Sequence, residues 1–336
     1  MSFQPVGDLA GAFRLRYLNA DLKKAANRLG GELASGRSAD VTQQLHGGLD
    51  RLAAVRRAAT MTDAYRVNAG EIQNRISGMQ AALQTIGGVA SRTGVQMLAA
   101  ATTPTRTNVD AAAASAKAGL ETAIGALNAN LAGQSLFSGT AVDRPAMVSA
   151  TEVLDQLSIL TVGATSAAQV ATIVGDYFNL PGGGFETSAY RGSTQAPGPL
   201  GIAETESATV SLTARDPALR KSLEGLSVAA LLSRGILAGQ PDEQGRLLTG
   251  SGETLVAAND AVIGLQAGLG ATEARIEVVQ ATNAANRTRL GVMLDEMTGV
   301  NGYETATSLK AVELRLEALY IATARLSQLS MVNYLR

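Results

Sequence analysis

The residues able to do chemistry are few. His46 is the only histidine in 336 residues, and there is no cysteine. A lone histidine excludes a histidine-rich metal site and a relay between two imidazoles. The absence of thiols removes disulfides, thiolate metal sites and a cysteine nucleophile. His46 stands in QQLHGG beside Gly47-Gly48, where it reads as a structural or solvated residue at a loop or helix end. A serine triad would need it as base, and no GxSxG elbow accompanies it. No GxxxxGK[ST] segment exists, so no phosphate-cradling loop is expected. Pro181-Gly182-Gly183-Gly184 does not fit GxGxxG and reads as a turn. Acidic residues are scattered along helix faces without calcium-loop spacing. Met79, Met97, Met293 and Met297 fall on helical stripes and read as core packing. The expectation is a protein that is not an enzyme, with no catalytic residues, no cofactor and no metal.

Composition points the same way. Hydrophobic residues make up 46% of the chain but aromatics only 4%, with no tryptophan. Surfaces rich in Ala, Leu and Val suit helices packed closely side by side. The net charge of −1 gives no sign of a nucleic-acid groove. The first sixty residues carry nine Lys/Arg against five Asp/Glu, which reads as a solvated helix face. No apolar run reaches the ~18 residues a membrane-spanning helix needs, so membrane insertion is not expected. The opening MSFQPVGDLAGAFRLRYLN lacks the features of a cleavable signal peptide.

The elements are mostly long helices. Leu15, Leu18, Leu22, Ala25 and Leu29 step by three and four, and Leu33 extends the stripe to the Ser35-Gly36 break. A second helix carries Ile72, Met79 and Ile86 seven apart, with Ile76, Leu83, Ala90 and Met97 alongside. Asp63 is a candidate cap for it. Gly87-Gly88 reads as a weak point, since a helical Gly costs about 1 kcal/mol against Ala. Thr102-Thr103-Pro104 ends it. A third helix is expected from an Asn108 cap to Gly133, burying Ala113, Ala116, Leu120, Ile124, Leu127 and Leu131.

From about Ala141 the heptads stop. A short helix is expected over Gln169 to Leu180, strands over Phe185 to Tyr190 and Ile202 to Leu212, and a helix opened by Asp216-Pro217. The heptad returns at Leu255, Val262, Leu269, Ile276, Asn283, Leu290 and Met297. Its companion row contains Asn286. These asparagines are either register devices in a buried seam or a local bulge or wet patch. Gly264, Gly268 and Gly270 are candidate kinks. A last helix from about Tyr303 carries Leu309, Val312, Leu316, Leu319, Thr323 and Leu326, while Leu314, Ile321 and Leu329 lie off that stripe. An apolar surface this wide needs more than one neighbour. Apolar residues, Tyr334 and Leu335 among them, run to the end of the chain.

The expected fold is mainly α. Long N- and C-terminal helices form an antiparallel coiled-coil bundle, with a small α/β insert domain in the middle. The expected divisions are 1–140 and 253–336 for the helical stalk and 141–252 for the insert.

Three stretches resemble the bacterial flagellin superfamily and, within it, the hook-associated proteins of the hook–filament junction. They are LKKAANRLGGELASGR from Leu22 to Arg37, NANLAGQSLFSGT from Asn128 to Thr140, and the terminal YETATSLKAVELRLEALYIATARLSQLSMVNYLR from Tyr303 to Arg336. YRGS, Tyr190 to Ser193, and RDPALRKSLEGL are weaker matches. Flagellin is the close alternative, but SADVTQQLHGG replaces its Asp-Asp-Ala-Ala-Gly stretch, and its Asn-Gln-x-Pro step is absent. The N-terminal MSFQPVGDLAGAF departs from the usual opening. The resemblance implies an extracellular structural component of the flagellum, exported through the flagellar type III channel without a cleavable signal. It implies self-association in a ring or axial layer, with hook-associated protein 1 and flagellin as axial neighbours. An export chaperone would bind the C-terminus. Subunit packing would fall on Leu15, Leu18, Leu22, Leu29, Leu309, Val312, Leu316, Leu319, Leu326, Leu329, Tyr334 and Leu335. A cytoplasmic coiled-coil scaffold or signalling protein is the alternative from a different class.

Overall fold

The computed structural model describes the backbone of residues 6–45 and 47–334, and the side chains of 10, 11, 13–45 and 47–326. The chain is mainly helical. Its long helices are α1 (Val6–Ser35), α3 (Leu49–Thr102), α8 (Pro241–Thr298) and α9 (Gly302–Tyr334). Shorter ones are α2 (Val41–Gln44), α4 (Arg106–Leu127), α5 (Ala150–Leu160), α6 (Ala167–Asn179) and α7 (Pro217–Ala230). Two minimal antiparallel ladders pair β1 (Asn130–Leu131) with β2 (Gln134–Ser135), and β3 (Leu200–Gly201) with β4 (Ser207–Ala208). Contacts divide the chain into two compact units. One comprises Met1–Asp63 with Ala284–Arg336, and the other Ala64–Asn283.

The second unit holds the main core. Ile72, Ile76, Met79, Leu83, Ile86 and Met97 of α3 are all buried, as the heptad predicts. So are Ala113, Ala116, Leu120, Ile124 and Leu127 of α4, and Leu219, Leu223 and Leu226 of α7. Leu255, Val262, Leu269 and Ile276 complete the core from α8. Of the Gly87-Gly88 pair, Gly87 is a packing position, while a Cβ on Gly88 would meet nothing within 4 Å. A Cβ on Gly87 would lie 3.0 Å from Asn259 Oδ1 and 3.6 Å from Val262 Cγ1 on α8. Seven residues on, Gly94 meets the Gly252 carbonyl and Leu255 Cβ, each at 3.2 Å. The missing side chains let the two helices approach, and the packing gained offsets the propensity lost. α8 also runs unbroken through Gly264, Gly268 and Gly270.

Several local expectations are corrected. α3 begins at Leu49, so Asp63 is an interior residue; its carboxylate accepts from Arg287 Nε at 2.9 and 3.0 Å. The cap of α4 is Thr105, whose side chain accepts from the Asn108 N–H, and the helix ends at Leu127. Residues 128–135 instead form the β1–β2 hairpin around Gly133 at φ +82°, with Leu131 exposed. Phe185–Ala189 is a single π-helical turn, not a strand. Gly183 leads into it at a position where only glycine fits: a Cβ there would sit 2.8–3.1 Å from the Leu180, Asp176 and Tyr177 carbonyls. Of the strand expected over 202–212 only Ser207–Ala208 pairs, although Ala208, Val210 and Leu212 do alternate inward. α5 was not foreseen. Asp216 caps α7 as expected, its Oδ1 accepting from the Ala218 N–H at 2.9 Å.

Asn283 is buried in the α8 stripe, but it marks no seam between helices. Its Nδ2 donates to the Ile202 carbonyl at 2.7 Å. From α3, Asn68 Nδ2 donates to the neighbouring Gly201 carbonyl at 2.8 Å. Two asparagines on two helices thus hold the β3 turn, and Arg275 pairs with Glu206 at 3.0 Å on the same hairpin.

Candidate functional site

The sequence places its candidate residues on the two terminal helices, and the structure brings these together. α1 and α9 pack antiparallel. The Gly36 carbonyl accepts from the Val300 N–H at 3.0 Å, Ser38 N–H donates to Thr298 O at 2.8 Å, and Lys23 Nζ lies 5.9 Å from the Tyr320 ring centroid. The turn after α1 is built by its own sequence. Gly36 takes φ +68°, open to glycine without strain. Buried Glu32 receives the Ala39 N–H on Oε1 at 3.0 Å. Arg37 and Asp295 meet at 3.4 Å while mostly exposed, so that pair adds little.

The seam between α1 and α9 is shallow. Val312 is buried, and Leu15, Leu22, Leu29, Leu309, Leu316 and Leu319 are half-buried. Leu18 and Leu326 face solvent, 43% and 54% exposed. The side chains of Leu329 and Tyr334, and all of Leu335, lie outside the described residues, as does His46. Leu314 and Ile321, off the main stripe, are exposed at 58% and 50%. Phe13 and Tyr17 are exposed too and were missed. Their signal was available: two aromatics four apart share a helix face. Farther along this unit, Val55, Ala59 and Leu290 form a small cluster with Met293, Leu294 and Met297.

A second constellation lies wholly within Ala64–Asn283. The LFSG and YRGS segments, far apart in sequence, meet backbone to backbone. Phe137 and Ser138 are completely buried. Ser193 N–H donates to Ser138 O at 2.8 Å, Thr140 N–H to Gln195 O at 3.0 Å, and Ala214 N–H to Phe137 O at 3.0 Å. Gly139 at φ +66° faces the Gln195 and Ser193 carbonyls, which a Cβ would strike at 2.5 and 2.8 Å. A Cβ on Gly192 would collide with the Tyr190 hydroxyl and ring. Asn128 completes the junction, its side chain donating to and accepting from Met147 at 3.0 and 2.8 Å. Arg75 of α3 donates to Leu136 O at 3.1 Å, and burial lowers its pKa.

An aromatic file runs beside this junction. Tyr177, Phe178, Phe185 and Tyr190 stand 5.1, 5.8 and 6.1 Å apart in sequence, ring centre to ring centre. Burial raises the pKa of both tyrosines. Glu186 accepts from the Gly182 N–H at 3.0 Å and pairs with Arg215; these bonds, the backbone one first, hold its carboxyl below its ordinary value. The arrangement is one of closure and anchoring. Among the described residues no group of three His, Cys, Asp or Glu could hold a metal ion, and no helix is long and apolar enough to cross a membrane.

No family model matches the chain, and no curated protein matches it. Among solved structures the chain is similar to a proposed flagellar hook-associated protein from Vibrio parahaemolyticus. The TM-score is 0.54 at 15% identity, over 73% of this chain and 95% of that one. At that identity the likeness establishes a shared fold, and function has to be argued from the surfaces just described.

Proposed function

We propose that the chain is an axial structural subunit of the bacterial flagellum, an adaptor that joins hook to filament by helix packing between subunits. The observation that carries this is the apolar surface left open on the α1–α9 pair: Phe13, Tyr17, Leu18, Leu314, Ile321 and Leu326. Covering the part of each such side chain still open to water is worth roughly 0.7–2 kcal/mol, and exposed apolar side chains gathered on one helix pair are candidate contacts. Copies of the same helix pair, packed around an axis, would cover it. The motif resemblance at Leu22–Arg37, Asn128–Thr140 and Tyr303–Arg336 and the shared fold both support this reading.

The subunit would self-associate in a ring, with hook-associated protein 1 on one side and flagellin on the other. It would reach that position through the flagellar export channel, escorted by a chaperone at its C-terminal helix. A filament subunit would present the same open face, so position along the appendage separates the two. Antibody labelling of sheared flagella is expected to mark only the junction. Labelling along the whole filament would replace the adaptor with the filament reading. Recovery of the chain in the cytosol alone would leave the coiled-coil scaffold.

A further inference from the structure

The chain has a single Asn-Gly pair, Asn301–Gly302, at the joint between α8 and α9. Asn301 caps α9. Its Oδ1 accepts from the Tyr303 and Glu304 N–H groups at 3.1 and 3.4 Å, and its main-chain carbonyl accepts from Thr305 at 2.9 Å. The residues before it are tied down: Val300 N–H donates to Gly36 O at 3.0 Å, and Gln44 Nε2 to Gly299 O at 2.9 Å. Asn301 and Gly302 are both exposed to water.

Nothing in the fold asks for glycine at 302. A Cβ there would meet no atom within 4 Å, and its φ is not left-handed. Glycine thus brings no packing or turn advantage at this position. It does have one chemical consequence. With no side chain, the Gly302 amide nitrogen is unshielded, and it has no hydrogen-bond acceptor among the described residues.

We propose that Asn301–Gly302 is a site of spontaneous deamidation that rewrites the cap of α9. The Gly302 nitrogen gives its proton to solvent base and attacks Asn301 Cγ. The Cγ–Nδ2 bond breaks and ammonia leaves, closing a five-membered succinimide. Water then opens the ring at either carbonyl. Opening at Cγ gives aspartate with the main chain unchanged. Opening at the α-carbonyl gives isoaspartate, with the main chain routed through Cγ. Water is consumed and ammonia released, with no oxidant or metal required. Aspartate keeps the capping acceptor and adds negative charge at the positive helix end. Isoaspartate inserts a methylene ahead of α9 and displaces the acceptor of the Thr305 N–H, so the first turn loosens.

The test incubates the full-length chain in mildly alkaline buffer and follows tryptic peptide 290–310 by mass spectrometry, with fragmentation that separates isoaspartate from aspartate. A synthetic peptide of that sequence runs in parallel. The native chain is expected to convert at Asn301 within about tenfold of the peptide's rate, and Gly302→Ala to slow conversion more than about tenfold. Conversion in the native chain more than about tenfold slower than in the peptide, or none at all, overturns the proposal. So does an unchanged rate in Gly302→Ala.

Discussion

At the scale of single residues, the chain spends its special chemistry on backbone closure. Gly139 is the sharpest case, combining φ +66° with two carbonyls against the missing side chain. Gly139→Ala is expected to lower stability by at least about 2 kcal/mol in denaturant titration. Asn283→Ala leaves the Ile202 carbonyl without its 2.7 Å partner, which costs about 1–3 kcal/mol. Glu186 carries a pH signature. Its folded pKa is depressed below 4.5 by the Gly182 N–H and Arg215, so its contribution is present above that value and lost as pH falls through the folded one. Glu186→Gln is expected to flatten the acid side of the stability profile, read as melting temperature against pH. None of these roles was legible in advance. Glycine in LFSG and YRGS shows that something approaches closely, but not that the two segments approach each other.

At the scale of elements, the sequence was most informative where burial follows a period. The stripes of α3, α4, α7 and α8 place their leucines in the core as the spacing predicts, because 3.6-residue periodicity is a local property of the chain. α5 was missed although Ser149-Ala150-Thr151-Glu152 is a capping box; the Ser149 side chain accepts from the Glu152 N–H at 3.2 Å. The strand expected at 185–190 failed for a reason that alternation does not carry, since Gly183 and Gly184 fold back against the end of α6, a few residues upstream, and its Tyr177 ring. The α1–α9 pair yields an element-scale prediction. Leu314→Asp and Leu326→Asp alter exposed positions, so monomer stability should change by no more than about 0.5 kcal/mol. Assembly into filament-capped hooks, followed by electron microscopy, should be blocked. Leu316→Asp, in the half-buried seam, should both block assembly and loosen the pair. Wild-type assembly in all three would remove these residues from the interface.

At the scale of the whole molecule, burial is unequal. Residues 64–283 contain nearly all of the large side chains that are completely buried, whereas the α1–α9 seam buries Val312 and little else that is apolar. Backbone ordering costs about 1–2 kcal/mol per residue, and the pair has little burial of its own to set against that. In the free monomer, amides of α1 and α9 are therefore expected to exchange with solvent well before those of α3, α4 and α7. Strong protection at both ends would show that the pair needs no neighbours. Residues 64–283 carry the opposite design in their polar ties. Gln73 meets Gln280 at 2.8 Å, Gln80 donates to Gln266 O at 2.9 Å, and Asn283 holds Ile202. A one-residue slip of α8 moves each donor about 1.5 Å along the axis and about 100° around it. All three ties would break together, and Gly252 would be carried away from Gly94. Under a pulling force along α3, the Gln73–Gln280 and Gln80–Gln266 bonds are loaded in parallel, so the helix pair resists shear as a keyed shaft does.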